Sequence, residues 1–483
     1  MPWSPRSWPL ALQPVLPLMV AASLPAPVPV LLLAADRPLQ ARQQQQTEVR
    51  VLLAEGLRLQ VQALERPLRL EPVGLVLAPG SRLTFSSEAG RLRLDLEGAE
   101  PSTRLLPPAA SHWLVPQSSP PGASPAAAQA AAGGDFQLQQ RRYRGRLQLL
   151  SSGGALQAIN HLPLETYLPS VVGGEMPASW PQPALRAQAV AARTYALRQR
   201  KPAAAFDVSA TVSSQVYKGL ESETESTRQA VASTRGQVLM YGGSLANTVF
   251  HSSSGGLTEN SGDLWRQQLP YLVSVADDDS HSPVHRWQQR LEPDQLLRAF
   301  PELGGVSRID VTATTATGRI RQARVLGPRG SLALSGAELR NRLKLRSTLV
   351  RFEVVAPELA MAGLLPPPPP LPAAAATTGT AREAGADAVL IDSAIGPLPR
   401  DGAGDAGGSA PPTSAPGDGP APVRPGPLRL PQPALLAIGR GFGHGVGMSQ
   451  WGAHSMAQRG QSHEQILRHY YRGTELRTYT PQP

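Results

Sequence analysis

Residues 160–199 constrain the fold more than any other stretch of the chain. They begin with a short apolar segment, continue through Gly-Gly-Glu-Met-Pro at 173–177, and then enter a helical pattern. We predict a turn at 173–177 and a helix that opens near Pro181 with Ser179 as its N-cap, because proline is tolerated in the first helical turn. Small and apolar side chains fall on one stripe of this helix and would let it approach its neighbours closely. The stripe consists of Leu185, Ala189, Ala192 and Ala196.

The same stretch places one carboxylate, Glu175, on the glycine-flanked turn beside dense apolar sequence. Burial raises the pKa of a carboxyl group and suits it to hold and release a proton near neutral pH. A structural role is the alternative, because a glutamate shortly before a helix is often only a cap or a partner of the helix dipole. Local features alone therefore leave catalysis as one of two hypotheses for Glu175.

The composition excludes some chemistries and leaves others open. The 483 residues include no cysteine, so disulfides and thiolate metal sites are excluded. The length allows two or more domains, or one large domain with insertions. A formal net charge of +10, carried mainly by arginine, would suit an anionic cell-wall polymer, an anionic lipid surface or nucleic acid. Nucleic acid is the weakest of the three, because the basic residues form no block with interleaved aromatics.

The first part of the chain divides by composition. Residues 1–35 combine a basic start with a long acid-free apolar run, as in a signal peptide or an N-terminal anchor, so export is expected. Membrane contact is expected only through this segment. Residues 36–46 are polar and glutamine-rich and are predicted to be a tether. Residues 47–106 alternate apolar and polar positions between turns, which predicts a small β unit. Residues 107–134 are rich in proline, alanine, serine and glycine and are predicted to be a flexible insertion.

The remaining sequence predicts one larger folded body interrupted by a second insertion. Residues 135–361 mix helical and strand patterns, with a helix, a hairpin, a short helix and a closing strand expected within 291–355. Residues 362–431 contain five consecutive prolines and almost no apolar periodicity, which predicts a disordered insertion. Because folded sequence lies on both sides, residues 432–477 must return to the same domain. The predicted fold class is therefore α+β.

The returning tail carries a second strong signal, the sequence Gly-Arg-Gly-Phe-Gly-His-Gly-Val-Gly-Met-Ser-Gln-Trp-Gly-Ala at 439–453. Glycines at this density let the backbone approach a ligand closely. The loop lacks the Gly-Lys-Ser/Thr of a mononucleotide site. A lone histidine is usually structural, but His444 lies among glycines that leave it uncovered, which favours ligand contact. Two helices are predicted to follow, over about 449–459 and from a capping box at Ser462 and Gln465 to about residue 471.

Together these segments resemble the SpoIID/LytB family, which acts on bacterial peptidoglycan. The resemblance covers about 136–476 apart from the insertion, and it implies one large domain of this family preceded by the small β unit. It also implies a location in the cell envelope, in the periplasm or the cell wall. It is carried by Leu164-Glu165-x-Tyr167-Leu168, Val171-Val172-x-x-Glu175-Met176-Pro177, Ala184-Leu185-x-Ala187-Gln188-Ala189-Val190-Ala191-Ala192-Arg193-Thr194-Tyr195, His251-Ser252-Ser253-Ser254-Gly255-Gly256, Pro270-Tyr271-Leu272, the glycine-rich loop and Tyr470-Tyr471.

The resemblance implies a lytic transglycosylase that cleaves the β-1,4 bond between N-acetylmuramic acid and N-acetylglucosamine. Such an enzyme uses the muramic 6-hydroxyl as an internal nucleophile and forms a 1,6-anhydro end, so one carboxylate, here Glu175, can act first as acid and then as base. The alternative, from the LytB branch, is a non-catalytic amidase enhancer that binds the wall and stimulates another enzyme. The expected partners are therefore peptidoglycan glycan strands and a cell-wall amidase, with no nucleic acid.

Further site residues follow by resemblance. Arg193 is expected either to bind substrate or, equally, to form a buried salt bridge to Glu165. Some relatives carry cysteines after the residue matching His251, where they and histidines could bind zinc, but serine is a poor zinc ligand. Because this chain has serines there, we expect no metal and no cofactor. The residues expected to bind substrate are Arg193, Gln188, His251, Ser252, Tyr271, His444 and Gln450.

Two other polar groups are predicted to be solvent-exposed. Three adjacent aspartates at 277–279 could attract a cation, but such a run is more often a solvated loop. His281 and His285 have the spacing of helical metal ligands. Pro283 lies between them and prevents a regular helix, so both are predicted to be surface residues.

Overall fold

A computed structural model describes residues 47–88, 90–97, 101–117, 133–152, 154–355 and 433–480 of the protein. The predicted leader at 1–35, the tether at 36–46 and the insertion at 362–431 lie outside these residues. Within the described ranges, every helix is too short or too polar to cross a bilayer.

Helices and strands are interleaved along the described chain, which confirms the predicted α+β class. The helices are α1 Leu164–Glu175, α2 Gln182–Gln199, α3 Glu225–Ser233, α4 Ser261–Leu264, α5 Pro293–Ala299, α6 Gly336–Leu343, α7 Gln450–Gln458 and α8 His463–Tyr470. The first strands are β1 Glu48–Gly56, β2 Arg58–Ala63, β3 Leu68–Glu71, β4 Leu75–Leu77, β5 Arg82–Glu88, β6 Arg91–Glu97, β7 Ser102–Leu105, β8 His112–Pro116, β9 Phe136–Leu138, β10 Arg141–Tyr143, β11 Arg146–Ser152 and β12 Ala155–Pro163. The later strands are β13 Val208–Ser209, β14 Gln237–Tyr241, β15 Ser244–Leu245, β16 Phe250–His251, β17 Arg286–Leu291, β18 Arg308–Thr314, β19 Ile320–Gly327, β20 Gly330–Ser335, β21 Val350–Val355, β22 Ala434–Arg440, β23 Met448–Ser449 and β24 Glu475–Thr478.

Strands β1–β13 form two sheets that share one hydrophobic cluster. Their orders are β13-β1-β12-β11-β8-β3-β4 and β10-β9-β2-β5-β6-β7. Alternation accounts for the buried faces, because Val49 and Val51 of β1 are buried, as are Leu59 and Val61 of β2, while polar residues between them are more exposed. Residues 47–106 are thus built of strands, as their alternation predicts.

The boundaries of this β unit differ from the predicted ones. Strand β1 pairs with β12, and β2 pairs with β9, so strands from both sides of the predicted insertion share the same sheets. The insertion itself was predicted too long, because β8 lies inside 107–134 and pairs with β11 and β3. Its alternate residues His112 and Leu114 are buried. Residues 118–132 lie outside the described residues.

Helix α2 lies at the centre of the larger hydrophobic cluster. Its predicted stripe is buried, but so are most of its other residues, and it packs against α1, α3, α7 and α8. The many alanines allow this close packing on several sides. The helix begins at Gln182, near the predicted start, but Pro181 occupies the N-cap position without a side-chain hydrogen bond. The prediction that Ser179 caps the helix is therefore wrong.

A second hydrophobic cluster is built from α5, α6 and two three-stranded sheets, β17-β22-β21 and β18-β19-β20. The elements expected within 291–355 are present, including the antiparallel hairpin of β18 and β19 and the helix α6, which Ser335 caps. Strand β22 pairs with β17 on one side and β21 on the other. The tail after the 362–431 segment is therefore part of the same fold as the residues before it.

One strand pairing was not expected from the sequence. Strands β14 and β15 pair across Gly242-Gly243, whereas β16 pairs in parallel with β23 of the tail. This pairing joins the segment that begins at His251 to the glycine-rich tail. It therefore assembles the region that contains most of the candidate site residues.

His161 on β12 couples this packing to pH. Its Nε2 lies 2.9 Å from Gln148 Oε1, and its ring packs edge-on against Trp113. Burial, with the nearby charges of Arg146 and Arg50, lowers the pKa of His161 from 6.5 to about 4. Between these two values the unfolded chain binds a proton that the folded protein does not bind. The stability of the protein must therefore fall as the pH is lowered through this window.

We expect His161→Gln, which keeps a donor near Gln148, to reduce the loss of unfolding free energy between pH 6.5 and about pH 4. Chemical denaturation at several pH values measures this slope. The control is His469→Gln, at a partly exposed histidine, which should leave the slope unchanged. An unaltered slope in the His161 variant would contradict the proposed linkage.

Candidate active site

Glu175 is the last residue of α1 and is only 5% exposed. One carboxylate oxygen accepts a hydrogen bond from the backbone N–H of Val216 at 2.9 Å, and the other accepts one from the side-chain amide of Gln450 at 3.3 Å. The predicted turn at 173–177 is wrong in its first part, because residues 173–175 complete the helix. The carboxylate is thus fixed at a helix end by donors from two other segments.

Two glycines allow the first donor to reach Glu175. Gly173 and Gly174 lie in the last turn of α1. A Cβ at Gly173 would lie 1.9 Å from the carbonyl oxygen of Ser222, and a Cβ at Gly174 would lie 2.7 Å from that of Val216. A side chain at either position would push this backbone away. The glycine pair therefore keeps the Val216 N–H within reach of the carboxylate.

The second donor comes from the tail. Strand β23 ends at Ser449, whose hydroxyl accepts a hydrogen bond from the N–H of Gly452 and caps α7. Gln450 is the first residue of α7, so this cap fixes the position from which its side chain extends. The amide meets Glu175 although 275 positions separate the two residues.

The glycine-rich loop lies against the segment after β16. Ser253 and Phe442 exchange backbone hydrogen bonds, and the N–H of Glu259 donates to the carbonyl of Gly445 at 2.8 Å. At Gly447 a Cβ would lie 2.1 Å from the carbonyl oxygen of Val249. The loop follows this path because four of its residues adopt positive φ angles, which favour glycine. They are Gly441, Gly443, Gly445 and Gly447, at 70°, 115°, 88° and 74°.

Two histidines meet where these segments touch. The rings of His251 and His444 lie 5.4 Å apart. His444 Nδ1 accepts a hydrogen bond from the N–H of Val446, and His251 Nδ1 lies 3.2 Å from the carbonyl oxygen of the same residue. Burial lowers the pKa of His251 well below its ordinary value, and the neighbouring His444 adds to the shift. His251 is therefore neutral near pH 7 and donates through Nδ1, which leaves Nε2 as an acceptor.

Several buried polar atoms in this region have no hydrogen-bond partner among the described residues. Their residues are at most 1% exposed. Such a group normally costs about 1–3 kcal/mol when it stays unsatisfied, so a concentration of them indicates a place for a polar ligand. The atoms are both amide atoms of Gln188, the hydroxyl of Ser252, Nε2 of His251 and Oε1 of Gln450.

The position of Gln188 on α2 connects these groups. Gln188 lies one turn before Ala191 and Ala192 and therefore on the same face of the helix. The carbonyl of Ala191 accepts a hydrogen bond from Thr248, which precedes β16, and that of Ala192 accepts one from Gln215, which precedes Val216. This face of α2 thus lies against the two segments that carry His251 and the donor to Glu175.

Comparison with known proteins gives the same assignment as the motifs. A family model described as Stage II sporulation protein matches residues 152–241. An amidase enhancer of Bacillus subtilis (strain 168) is 30% identical over 331 residues, which cover 65% of this chain and 40% of that protein. Stage II sporulation protein D of the same organism is 26% identical, and the match covers 67% of this chain and 76% of that protein. Stage II sporulation protein D of Bacillus amyloliquefaciens is 27% identical, and the match covers 66% of this chain and 75% of that protein. These matches support the assignment of the chain to the SpoIID/LytB family. The chain spans less than half the length of the amidase enhancer.

Not every site residue predicted from this family lies in the assembled region. Glu175 and Gln450 are in contact, His251 and His444 are adjacent, and the carbonyl of Ser252 accepts the backbone N–H of the residue after Gln450. Gln188 lies on the facing helix. Substrate contact by these residues stays a prediction. The two remaining residues, Arg193 and Tyr271, have structural partners.

Arg193 forms the buried salt bridge that was its alternative. Its guanidinium donates to both carboxylate oxygens of Glu165, at 2.8 and 2.9 Å, and to the carbonyls of Val231 and Gln237. Arg193 is only 1% exposed. These partners occupy its donors, so the structure contains the alternative salt bridge, and substrate binding by Arg193 stays a prediction.

Tyr271 is also used by the fold. Its hydroxyl accepts a hydrogen bond from the backbone N–H of Asn247 at 2.8 Å, and its ring lies 4.9 Å from that of Tyr241. The residue is buried. Its hydroxyl holds the segment before β16 in place, and substrate contact by Tyr271 stays a prediction.

The loop after His251 does not fit the zinc site of some SpoIID/LytB relatives. Hydroxyls of Ser252 and Ser253 stand where thiolates would be needed, and the Ser253 hydroxyl donates to Asp279. Within the described ranges, His, Cys, Asp and Glu side chains form no group of three or more that could hold a metal ion.

The acidic run is not the solvated loop that was predicted. Asp277 accepts hydrogen bonds from Tyr470 and Ser254, both at 2.6 Å, and burial, with the charge of Asp279, raises the pKa of Asp277. Asp279 is fully buried and lies 2.8 Å from Nδ1 of His285. Only the middle residue, Asp278, matches the prediction. The run therefore anchors the loop that follows β16.

The two histidines near this run differ. His281 is exposed, as predicted, and no regular helix forms around Pro283. His285 is half-buried because it pairs with Asp279, so its assignment to the surface is wrong.

Other residues of the site region were missed from the sequence. Arg319 and Glu259 are fully buried and 3.9 Å apart, and Arg319 donates to the carbonyl of Ser254 at 2.7 Å. Arg319 lies in an ordinary hairpin pattern, so the sequence contains no signal for this pair. Trp180 and Trp451 also belong to the site region. The sequence could have indicated them, because both are aromatic residues close in sequence to Glu175 and Gln450.

A glycine pair tests the docking of the glycine-rich loop. At Gly460, whose φ is 82°, an added Cβ would meet no neighbouring atom. Gly460→Ala should therefore lower the unfolding free energy by about 1–2 kcal/mol, the cost of a non-glycine residue in the left-handed conformation. Gly447→Ala adds a clash with the Val249 carbonyl at a similar φ and should cost about 1–3 kcal/mol more. Chemical unfolding measures both, and equal losses would show that the close approach is not needed.

Arg193 variants test its structural assignment. Removing one partner of a buried ion pair costs about 3–5 kcal/mol, and we expect Arg193→Leu to lie at the lower end because 23% of the Glu165 side chain is exposed. Arg193→Lys keeps the charge but loses the paired hydrogen bonds, so it should recover part of the loss. Unfolding experiments measure the effect. Unchanged stability together with weakened glycan binding would show instead that Arg193 binds substrate.

Proposed function

We propose that the protein is a lytic transglycosylase of bacterial peptidoglycan with Glu175 as its acid and base. The observation that supports this best is the double anchoring of one buried carboxylate by donors from two distant segments of the chain. Buried side-chain atoms of Gln188, His251 and Ser252 that have no hydrogen-bond partner among the described residues lie on the segments around it. A positioned carboxylate that transfers protons contributes about 10²–10⁴-fold to a reaction rate.

The two hydrogen bonds assign different roles to the carboxylate oxygens. The backbone N–H of Val216 can only donate, so the oxygen it contacts stays an acceptor. The proton is therefore carried by the oxygen beside Gln450. An amide can donate to that oxygen when it is ionised, or accept from it when it is protonated after rotating by half a turn. Gln450 is thus suited to both protonation states of Glu175.

In the proposed reaction, Glu175 first protonates the glycosidic oxygen as the bond from muramic C1 to that oxygen breaks. The carboxylate then accepts the proton of the muramic 6-hydroxyl as its oxygen bonds to C1. The products are a 1,6-anhydromuramic end and a free 4-hydroxyl. No water is consumed, and Glu175 returns to its protonated state.

The other buried carboxylates of the site region support an internal nucleophile. A hydrolytic glycosidase usually uses two carboxyl groups, one for proton transfer and one to activate water or attack carbon. Here Glu259 is bound by Thr315 at 2.6 Å and paired with Arg319, and both Asp277 and Asp279 have the partners described above. These three carboxylates hold the fold around the site, which argues against one of them acting as a second catalytic carboxylate.

A second candidate function comes from the family itself. The relative named amidase enhancer is 30% identical over 65% of this chain. An enhancer would bind peptidoglycan and a cell-wall amidase without needing a proton-transfer group. Either function fits a location in the cell envelope. The leader-like residues 1–35 agree with that location.

Mass spectrometry of soluble products from intact and from peptide-stripped peptidoglycan tests the proposal. We expect the purified protein to release 1,6-anhydromuramic products and Glu175→Gln to lose at least about 100-fold in rate. The variant should keep its fold, because glutamine preserves the size of the side chain and can accept from Val216. The matched control is Glu225→Gln, at a glutamate with 86% of its side chain exposed, which should retain full activity.

The same preparations distinguish the two functions. Full activity of Glu175→Gln would refute the acid/base role. Absence of products from both substrates, with stimulation of an added amidase by the unchanged protein and by Glu175→Gln alike, would establish the enhancer instead.

A further inference from the structure

An aromatic cluster extends from the buried end of the site region to the surface. The ring of Trp180 lies 4.8 Å from that of Trp451 and 4.6 Å from that of His454. His281 lies 5.8 Å from His454 and 6.2 Å from Trp451. Trp180 is 8% exposed, Trp451 and His454 are half-buried, and His281 is exposed. The four rings therefore form a continuous wall with one accessible edge, which we call the aromatic wall.

The aromatic wall is continuous with the groups around Glu175. Trp451 directly follows Gln450, whose amide contacts the carboxylate, and the backbone N–H of Trp451 donates to the carbonyl of Ser252 at 3.0 Å. Trp180 lies in the short connection between Glu175 and α2. A ligand bound at Glu175 would thus have this wall on one side.

Two polar atoms of the wall have no hydrogen-bond partner among the described residues. They are Nε1 of Trp451 and Nδ1 of His454, both buried from solvent at the level of the atom. A buried indole N–H usually has an acceptor, and it can only donate. Burial, with the neighbouring His281, lowers the pKa of His454, so the ring is neutral near pH 7. The wall therefore offers apolar ring faces with one fixed donor and an uncharged imidazole.

This combination matches a sugar ring better than a peptide or an anion. A pyranose presents a face of C–H groups that packs on aromatic rings, and its edge carries hydroxyls that accept and donate hydrogen bonds. Pockets that bind small polar molecules commonly combine aromatic walls with a few placed polar groups in this way. Trp180, Trp451 and the neutral His454 offer no formal charge that would select a carboxylate or a phosphate.

We propose that Trp451, Trp180 and His454 form a binding subsite for one pyranose ring of a glycan strand, adjacent to Glu175. In this subsite the sugar packs on the indole of Trp451, and a hydroxyl at its edge accepts the indole N–H. The proposal rests on the proposed function for the identity of the polymer, but not on catalysis. Trp451 is thereby a substrate-binding residue that positions the strand.

Binding to a cleavage-deficient protein tests the subsite. The protein carries Glu175→Gln, and the probe is a peptide-free tetrasaccharide of alternating N-acetylglucosamine and N-acetylmuramic acid, titrated by calorimetry. We expect Trp451→Leu in this background to weaken binding about tenfold, equivalent to about 1.4 kcal/mol. Trp451→Phe, which keeps a ring but loses the N–H, should give a smaller loss.

The matched control is Trp113→Leu in the same background. Trp113 is also a half-buried tryptophan packed edge-on against a histidine, His161, but it lies in the N-terminal sheets. Its replacement should leave the dissociation constant unchanged. Thermal unfolding of each variant identifies a loss that comes from misfolding.

A second measurement needs no substitution of Trp451 in the titrated protein. In the Glu175→Gln protein with ¹⁵N-labelled tryptophan, the indole N–H signal of Trp451, assigned by its loss in Trp451→Phe, should shift during titration with the tetrasaccharide. An unshifted signal, or an unchanged dissociation constant for a folded Trp451→Leu, would overturn the subsite. A free stem peptide that produces the same shift would also overturn it, because the ligand class would be wrong.

The outcomes separate this inference from the proposed function. Anhydromuramic products with no effect of Trp451→Leu on binding would leave the transglycosylase standing and refute the subsite. Absence of cleavage with weakened binding in the Trp451 variant would refute the transglycosylase and leave a glycan-binding subsite.

Discussion

Glu175 keeps its position because two N–H donors reach it from different parts of the chain. The Val216 donor depends on a glycine pair that lets one backbone lie against the end of α1. The Gln450 donor depends on the parallel pairing of β16 with β23, which places the start of α7 beside that helix end. Each contact requires the close approach of backbones that are distant in sequence. Much of the site region therefore serves to hold the tail against the segment that follows β16.

Buried polar groups in this structure differ in whether they have hydrogen-bond partners, and this difference separates residues that support the fold from candidate ligand-binding residues. Around Arg193, Asp277 and Asp279, the hydrogen-bonding capacity of each buried charge is met by neighbours. At Gln188 and Ser252, buried side-chain atoms have no hydrogen-bond partner within the described part of the chain. Unmet polar groups oppose folding, so a chain keeps them where something other than stability requires them. This contrast, rather than residue type, separates the candidate ligand-facing residues from the supporting ones.

Local patterns in the sequence predicted the local elements well. The period of α2, the hairpin of β18 and β19, and the capping box of α8 each depend on residues close together in the chain. The errors concern long-range partners. Adjacent aspartates at 277–279 have the composition of a solvated loop, and only the fold supplies the Tyr470 hydroxyl and His285 ring that bury two of them. For Arg193 the sequence leaves two equal interpretations, and only the fold brings Glu165 within 2.8 Å of its guanidinium. The family motif indicated Glu175, but not the residues that hold it.

The geometry around Glu175 bears on the choice between a catalyst and a binding protein. A protein that only binds glycan does not need a group that changes its own protonation state. Glu175 is contacted by one fixed donor and by an amide that can either donate or accept. These two contacts suit both the acid and its conjugate base, as a group that gives and takes a proton within one reaction cycle requires. The arrangement therefore favours proton transfer over passive binding.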